Sequence, residues 1–173
     1  DLNESATQQM TVAEQDLWLV FNGEIYNHAE IRKELLGRGA RFTTHHSDTE
    51  VILQAYRTWG IEAIHRFRGM FAFVLIDFRV EKIFLVRDRI GVKPLYYAQE
   101  NGTFFFGSEI KALLRGMQTL PRMRSQSVFD YMTFLTVPAP HTFYEGVLKL
   151  PAGHWMELNF KGESQIREYW DPL

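Results

Sequence analysis

The 173-residue sequence contains no cysteine. That absence excludes disulfides, thiolate zinc sites, iron–sulfur clusters and any cysteine nucleophile within these residues. It fits a reducing compartment. An excess of one charge is lacking as well: 19 basic residues against 21 acidic ones leave a net charge of -2. A nucleic-acid binder would carry a basic surplus, so no nucleic-acid partner is expected. No apolar run approaches the ~20 residues of a membrane span. The longest, Met70 to Ile76, has the length of a buried strand. No signal or transit peptide is recognisable. The expectation is therefore no membrane partner and a cytoplasmic location. The phosphate loops GxxxxGK[ST] and GxGxxG are absent, and His45 and His46 stand side by side without metal-ligand spacing. Neither a cofactor nor a metal is expected in this chain.

What is present suits a folded domain. Hydrophobic residues make up 46% and charged residues 23%, and this length can bury roughly 70% of the unfolded chain's surface. Leu17 to Phe21 reads as a buried strand ending in a turn at Asn22-Gly23. Asn27 with Glu30, and Ser47 with Glu50, have the spacing of capping boxes at the starts of two helices. Gly37 and Gly60 would end them. Met70–Ile76 and Lys82–Val86 form a strand pair. Leu95–Ala98 and Thr103–Phe106 flank Asn101-Gly102, a strong hairpin signal. Ser108 could cap a short helix through Leu114, Ser125 to Leu135 is apolar-periodic, and residues 154–170 read as a last hairpin. Strands in adjacent pairs with short turns argue for antiparallel sheet with packed helices, an α+β fold.

Two places carry chemistry as well as structure. Asn-Gly after a strand is by default a turn. An Asn side-chain amide and a Gly backbone N–H can equally converge on one point and form an oxyanion hole. Asp48 at a helix start helps to cap that helix and sits well in its dipole. It could also grip an ammonium group through a charge-assisted hydrogen bond.

Five ordered segments decide between these readings. They are Phe21-Asn-Gly-Glu-Ile-Tyr-Asn-His28, Ser47-Asp-Thr-Glu-Val-Ile-Leu53, Arg68-Gly-Met-Phe-Ala-Phe73, Arg87-Asp-Arg-Ile-Gly-Val-Lys-Pro-Leu-Tyr-Tyr97 and Phe106-Gly-Ser-Glu-Ile-Lys-Ala-Leu113. Together they resemble the class II glutamine amidotransferase domain of glutamine-hydrolysing asparagine synthetases. The match is dense from Leu17 to Leu114. It is thinner through Val137-Pro-Ala-Pro140, Lys149-Leu-Pro-Ala-Gly-His154 and Tyr169-Trp170. Glu24-Ile-Tyr-Asn27 favours this family over amidotransferases of purine or amino-sugar synthesis.

The resemblance implies an N-terminal-nucleophile fold, a four-layer sandwich with two antiparallel sheets between helix layers. It implies hydrolysis of glutamine by an N-terminal cysteine whose own amino group serves as base. The ammonia released passes to a second domain that uses ATP and magnesium to activate aspartate. Carried over by motif, Asn22 and Gly23 are the oxyanion hole, where losing one donor commonly costs about 100- to 1,000-fold in rate. Asp48 binds the α-ammonium of glutamine and Glu24 lines the same pocket. Glutamine and the C-terminal synthetase domain are the expected partners, and a homodimer is left open.

This sequence departs from the family pattern at its ends. The cysteine, an Arg-Gly-Pro-Asp motif and a carboxylate-binding arginine belong before Asp1. Asp1-Leu2 and Gln9-Met10 resemble the family's next stretch of chain. The expectation is a partial domain over residues 1–173, with the nucleophile segment upstream and the synthetase domain after Leu173. The alternative is a pseudo-amidotransferase that binds glutamine or a partner without chemistry. A module keeping only the fold is disfavoured by the intact pocket residues. Loss of the first segment would leave an exposed sheet edge and apolar surface, which promote pairing.

Overall fold

A computed structural model of the chain describes residues 10–11 and 16–172. Asp1-Leu2 and Gln9, which carry part of the resemblance, lie outside the described residues. Nine strands are described, all paired antiparallel, in two sheets. The larger contains β1 (Met10–Thr11), β2 (Leu17–Ile25), β3 (Gly69–Asp77), β4 (Lys82–Arg87), β8 (His154–Asn159) and β9 (Ser164–Glu168), adjacent in that order. The smaller runs β6 (Thr103–Gly107), β5 (Tyr96–Glu100), β7 (Val147–Lys149). Helices α1 (His28–Gly37) and α2 (Asp48–Trp59) lead through a 3-10 segment, Gly60–Arg66, into β3; α3 (Ile110–Gly116) and α4 (Ser125–Phe134) come after β6.

Three apolar clusters separate four layers. On one face of the large sheet, Leu19, Phe21, Phe71 and Phe73 pack against Ile31 and Leu35 of α1 and Val51, Ile52 and Ala55 of α2. Its other face presents Ala72, Val74 and Leu85 to Tyr97 of the second sheet and to Leu95 just before β5. Leu113 of α3 covers the far side, against Ala98 and Val147. Strand alternation produces this arrangement. Successive residues point to opposite faces, so β3, buried on both, reads as the uninterrupted apolar run 70–76. The expected α+β sandwich, helix–sheet–sheet–helix, is thus observed. On β2 the inter-sheet positions Trp18 and Val20 stay about 40% exposed.

Local readings need four corrections. Asn22-Gly23 is not a turn, because β2 continues through it to Ile25, with Asn22 opposite Ala72 and Gly23 opposite Phe71. Gly23 has φ +141°, and a Cβ there would lie 2.1 Å from the Met70 carbonyl oxygen. Its glycine serves close strand approach. Gly69, diagonally across, meets the Glu24 carbonyl oxygen in the same way. Asn27 precedes α1 without capping it. Its amide instead spans the chain at 66–68, donating to the Arg66 carbonyl and accepting from the Arg68 N–H at 2.9 Å each. The Ser47–Glu50 box is half formed: Ser47 accepts from Glu50 N, while the Glu50 carboxylate turns away to Thr43 and Thr44. Ser108 does not cap α3, which starts after Glu109 without a side-chain cap.

Candidate active site

The C-terminal end of β2 and the N-terminus of α2 are joined by one hydrogen bond. Ile25 N–H donates to Asp48 Oδ2 at 3.1 Å. Asp48 is the first residue of α2, where the exposed helical N–H groups and the dipole favour a carboxylate. Its place is fixed by Glu50. That buried carboxylate accepts from Thr43 N (2.6 Å), Thr44 N (2.8 Å), Thr43 Oγ1 (3.0 Å) and Thr44 Oγ1 (2.5 Å). Burial alone would raise the Glu50 pKa, but the four donors outweigh it and hold the carboxyl below its ordinary value. The approach to α2 is thereby locked. Asp48 Oδ1 accepts nothing from the described residues.

The hydrogen-bond ladder shows where the Gly23 N–H points. Phe71 donates its N–H to Asp88 Oδ2 (3.2 Å) and its carbonyl accepts from Asp88 N (2.8 Å), so both groups face away from β2. Gly23 opposite Phe71 is therefore a non-hydrogen-bonded pair, the closer of the two antiparallel pair types. The Gly23 N–H consequently lies on the outer edge of β2. Ile25, two residues on, has its N–H on that same edge, and the next residue, Tyr26, donates inward to the Arg68 carbonyl. The Gly23 N–H and the Asp48 carboxylate thus share one strand edge. Among the described residues β1 covers this edge only at Trp18 and Leu19.

Asn22 projects from the inter-sheet face. With Val20, Ala72, Val74, Leu95, Phe106 and Ser108 it lines a cleft of about 140 Å³. Asn22 Nδ2 donates to Ser108 Oγ at 3.1 Å, which leaves its second N–H for another acceptor. Apolar walls raise the worth of such a donor. No carboxylate or histidine among the described residues hydrogen-bonds Ser108, so nothing activates its hydroxyl as a nucleophile. Glu24 is exposed, and its side-chain carboxylate has no hydrogen bond or ion pair with described residues. The structure therefore brings Gly23 and Asp48 to one edge and Asn22 to the adjoining cleft, with no direct bond between Asn22 and Asp48. Ser108 is the residue that the sequence concealed. A serine before a helix reads as a cap, and only the fold brings β6 beside β2.

The comparisons agree with this architecture. Residues 1–170 match the glutamine amidotransferase domain family. The chain is 35% identical over 167 residues to the glutamine-hydrolysing asparagine synthetase 1 of Bacillus subtilis, covering 96% of this chain and 26% of that protein. It is 41% identical over 139 residues to a putative glutamine-hydrolysing asparagine synthetase of Mycobacterium tuberculosis, covering 78% and 21%. The chain thus spans about a quarter of the length of these relatives. Among solved structures, the B. subtilis glutamine phosphoribosylpyrophosphate amidotransferase superposes with a TM-score of 0.67 at 18% identity. The likeness covers 98% of this chain and 33% of that one, and shows a shared fold. Sheet order, layer packing and the match over nearly the whole sequence lead to one assignment: the chain belongs to the class II glutamine amidotransferase domain family, with asparagine synthetases among its relatives.

Proposed function

We propose that this chain is the ammonia-producing domain of a glutamine-dependent synthetase that amidates aspartate. The observation that supports this most is the edge of β2, where the Gly23 N–H and the Asp48 carboxylate face the same way beside the Asn22 amide. Glutamine would place its α-ammonium on Asp48, with Glu24 at the rim. A cysteine thiolate, supplied by chain upstream of Asp1, would attack the side-chain amide carbon. The oxygen of that carbon takes the negative charge and accepts hydrogen bonds from Asn22 Nδ2 and Gly23 N–H. Protonation of the nitrogen expels ammonia and leaves a thioester, and water then releases glutamate and the thiol. ATP and magnesium would serve a further domain after Leu173, where ammonia meets activated aspartate.

The alternative is a domain that binds glutamine without turning it over; a cysteine-free stretch from Asp1 to Leu173 is common to both readings. Intact mass and N-terminal sequence of the native gene product separate the two. The first reading expects a longer product starting with cysteine, glutaminase activity, and a loss of about 100- to 1,000-fold in kcat for Asn22→Ala. A product starting otherwise, without glutaminase activity but with glutamine binding abolished by Asp48→Asn, would establish the second.

A further inference from the structure

The longest of the five motif segments, Arg87 to Tyr97, supplies no group to the proposed chemistry. Its first two side chains, Arg87 and Asp88, are charged and yet buried. A buried charge persists only where partners satisfy it. The Arg87 guanidinium donates to three backbone carbonyls, those of Gly91 (2.7 Å), Lys93 (2.8 Å) and Leu150 (2.8 Å). The Asp88 carboxylate accepts from three backbone N–H groups. Oδ1 takes that of Val92 at 2.9 Å, and Oδ2 takes those of Lys93 at 2.9 Å and Phe71 at 3.2 Å. Val92 and Lys93 lie in the loop after β4. Phe71 lies in β3, opposite Gly23.

The bond to Phe71 stands in for a missing rung of the sheet. The β3–β4 ladder ends at Ala72 opposite Arg87. The next pair would be Phe71 and Asp88, exchanging two backbone hydrogen bonds. One of them is made, from Asp88 N to the Phe71 carbonyl at 2.8 Å. The other is not, because the Asp88 carbonyl turns to Gly91 N (3.1 Å) and Gly153 N (2.9 Å) as the chain leaves the sheet. The Asp88 side chain takes the place of its own carbonyl. Phe71 is buried, so without this carboxylate its N–H would face neither an acceptor nor water. Anchoring the loop requires only the Val92 and Lys93 bonds. The third bond closes the strand beside Gly23.

We infer that Asp88 is a positioning residue for the oxyanion hole: it holds β3 at Phe71 and, through the close Gly23–Phe71 pair, fixes the direction of the Gly23 N–H. This rests on the proposed function, in which Gly23 N–H and Asn22 receive the oxyanion. Gly23 lies against β3 at this level with no room for a Cβ, which would meet Met70 O and Phe71 Cα. A shift of the β3 backbone at 70–71 therefore turns the Gly23 N–H and moves Asn22, its neighbour in the chain. A displacement of about 1 Å in such a site can cost about 100-fold in rate. Asp48 is anchored separately, through Ile25 N and the Glu50 contacts of α2. Loss of Asp88 should therefore weaken turnover and spare glutamine binding.

The test uses the full-length gene product. Asp88→Ala removes all three bonds, and kcat for glutamine hydrolysis should fall about tenfold or more with KM within about twofold. Asp88→Asn keeps one oxygen, which serves the two donors Phe71 and Lys93 better than Val92 alone. Its kcat should return to within about threefold of the parent. Arg87→Lys keeps the charge beside Asp88 but gives up carbonyl bonds of the loop. It should lower the melting temperature and leave kcat within about threefold. An Asp88 that serves stability alone predicts a kcat that follows melting temperature across all three variants. That result, or a loss carried by KM, would overturn the inference. If Asp88→Ala does not fold, amide hydrogen exchange in the unmodified protein decides. The Phe71 N–H should exchange as slowly as that of Phe73, inside the β3–β4 ladder. Exchange about tenfold faster or more would overturn the inference. Absence of glutaminase activity in the unmodified protein would defeat the proposed function, while the exchange measurement would still decide whether Asp88 holds Phe71.

Discussion

The Gly23→Ala substitution isolates the geometry on which the site depends. A methyl group at Gly23 would sit 2.1 Å from the Met70 carbonyl oxygen and 2.7 Å from Phe71 Cα, both backbone atoms in a central strand. Neither can swing aside as a side-chain tip can. The φ of +141° adds its own penalty, since an L side chain rarely adopts it. Strain of about 1–3 kcal/mol and overpacking of about 1–3 kcal/mol together suggest a loss near 4 kcal/mol. That is a large share of the roughly 5–15 kcal/mol holding a domain together. With an m-value of about 2 kcal/mol/M, the urea midpoint should fall by about 2 M. Tryptophan fluorescence reads the transition, the chain having four tryptophans. Gly37→Ala provides the control. Gly37 lies in the last turn of α1, and a Cβ there meets nothing within 4 Å. That variant should be stabilised by about 0.5–1 kcal/mol. A Gly23→Ala protein within 1 kcal/mol of the parent, beside a normal Gly37→Ala control, would refute the close-approach argument.

Glu50→Gln should cost about 1.5–3 kcal/mol at neutral pH. The amide offers one acceptor oxygen where four donors converge, and turns its NH2 toward the Thr44 donors. The sign of the pH effect comes from the lowered Glu50 pKa. Its contribution is complete above the unfolded value near 4.5 and is lost as pH falls through the folded one. Stability measured from pH 6 to pH 3 should therefore fall less steeply in the variant, and an equal slope would contradict this role for Glu50. Ser108→Ala removes the acceptor that holds the Asn22 amide. In a cysteine-bearing gene product kcat should fall about tenfold with KM within twofold, a smaller loss than deleting a donor outright. Ser108→Thr should restore it. A loss confined to stability, or expressed only in KM, would remove Ser108 from the positioning of Asn22.

The same dipeptide shows what local sequence decides and what it does not. Asn101-Gly102 forms the turn its chemistry favours, with φ of +50° and +80°, between strands it joins directly. Asn22-Gly23 lies in mid-strand because β3 pairs through it and because Gly23 is spent on close approach. Residues at either end of a short loop were therefore legible, and residues whose partners lie some 50 positions away were not. Asp48 was legible as the first residue of a helix from Ser47 and Glu50, and its role at a site came from resemblance. Its bond to the Ile25 N–H and the bond from Asn22 to Ser108 depend on elements brought together only by the fold. In α4 the period of apolar residues correctly gave a helix. Period alone does not say which side meets the core, and here the polar side does.

The edge of β2 ties stability to binding. A strand edge presents its N–H groups to whatever can pair with them. On β2 the Ile25 N–H is satisfied by Asp48, and the Gly23 N–H, half-buried on the same edge, has no acceptor among the described residues. An N–H left without a partner away from water costs about 1–3 kcal/mol. Moving either donor would require shifting β3, since Gly23 and Gly69 lock the two strands at contact distance. The Asn22 amide is held beside them by Ser108. An acceptor arriving at Gly23, whether the amide oxygen of glutamine or a backbone carbonyl, would find donors that need no rearrangement. That is the condition under which a hydrogen bond contributes most to a charge developing on the acceptor. Under the proposed function, the glutamine oxygen would arrive together with an ammonium for Asp48, a second contact that a strand covering the edge would lack.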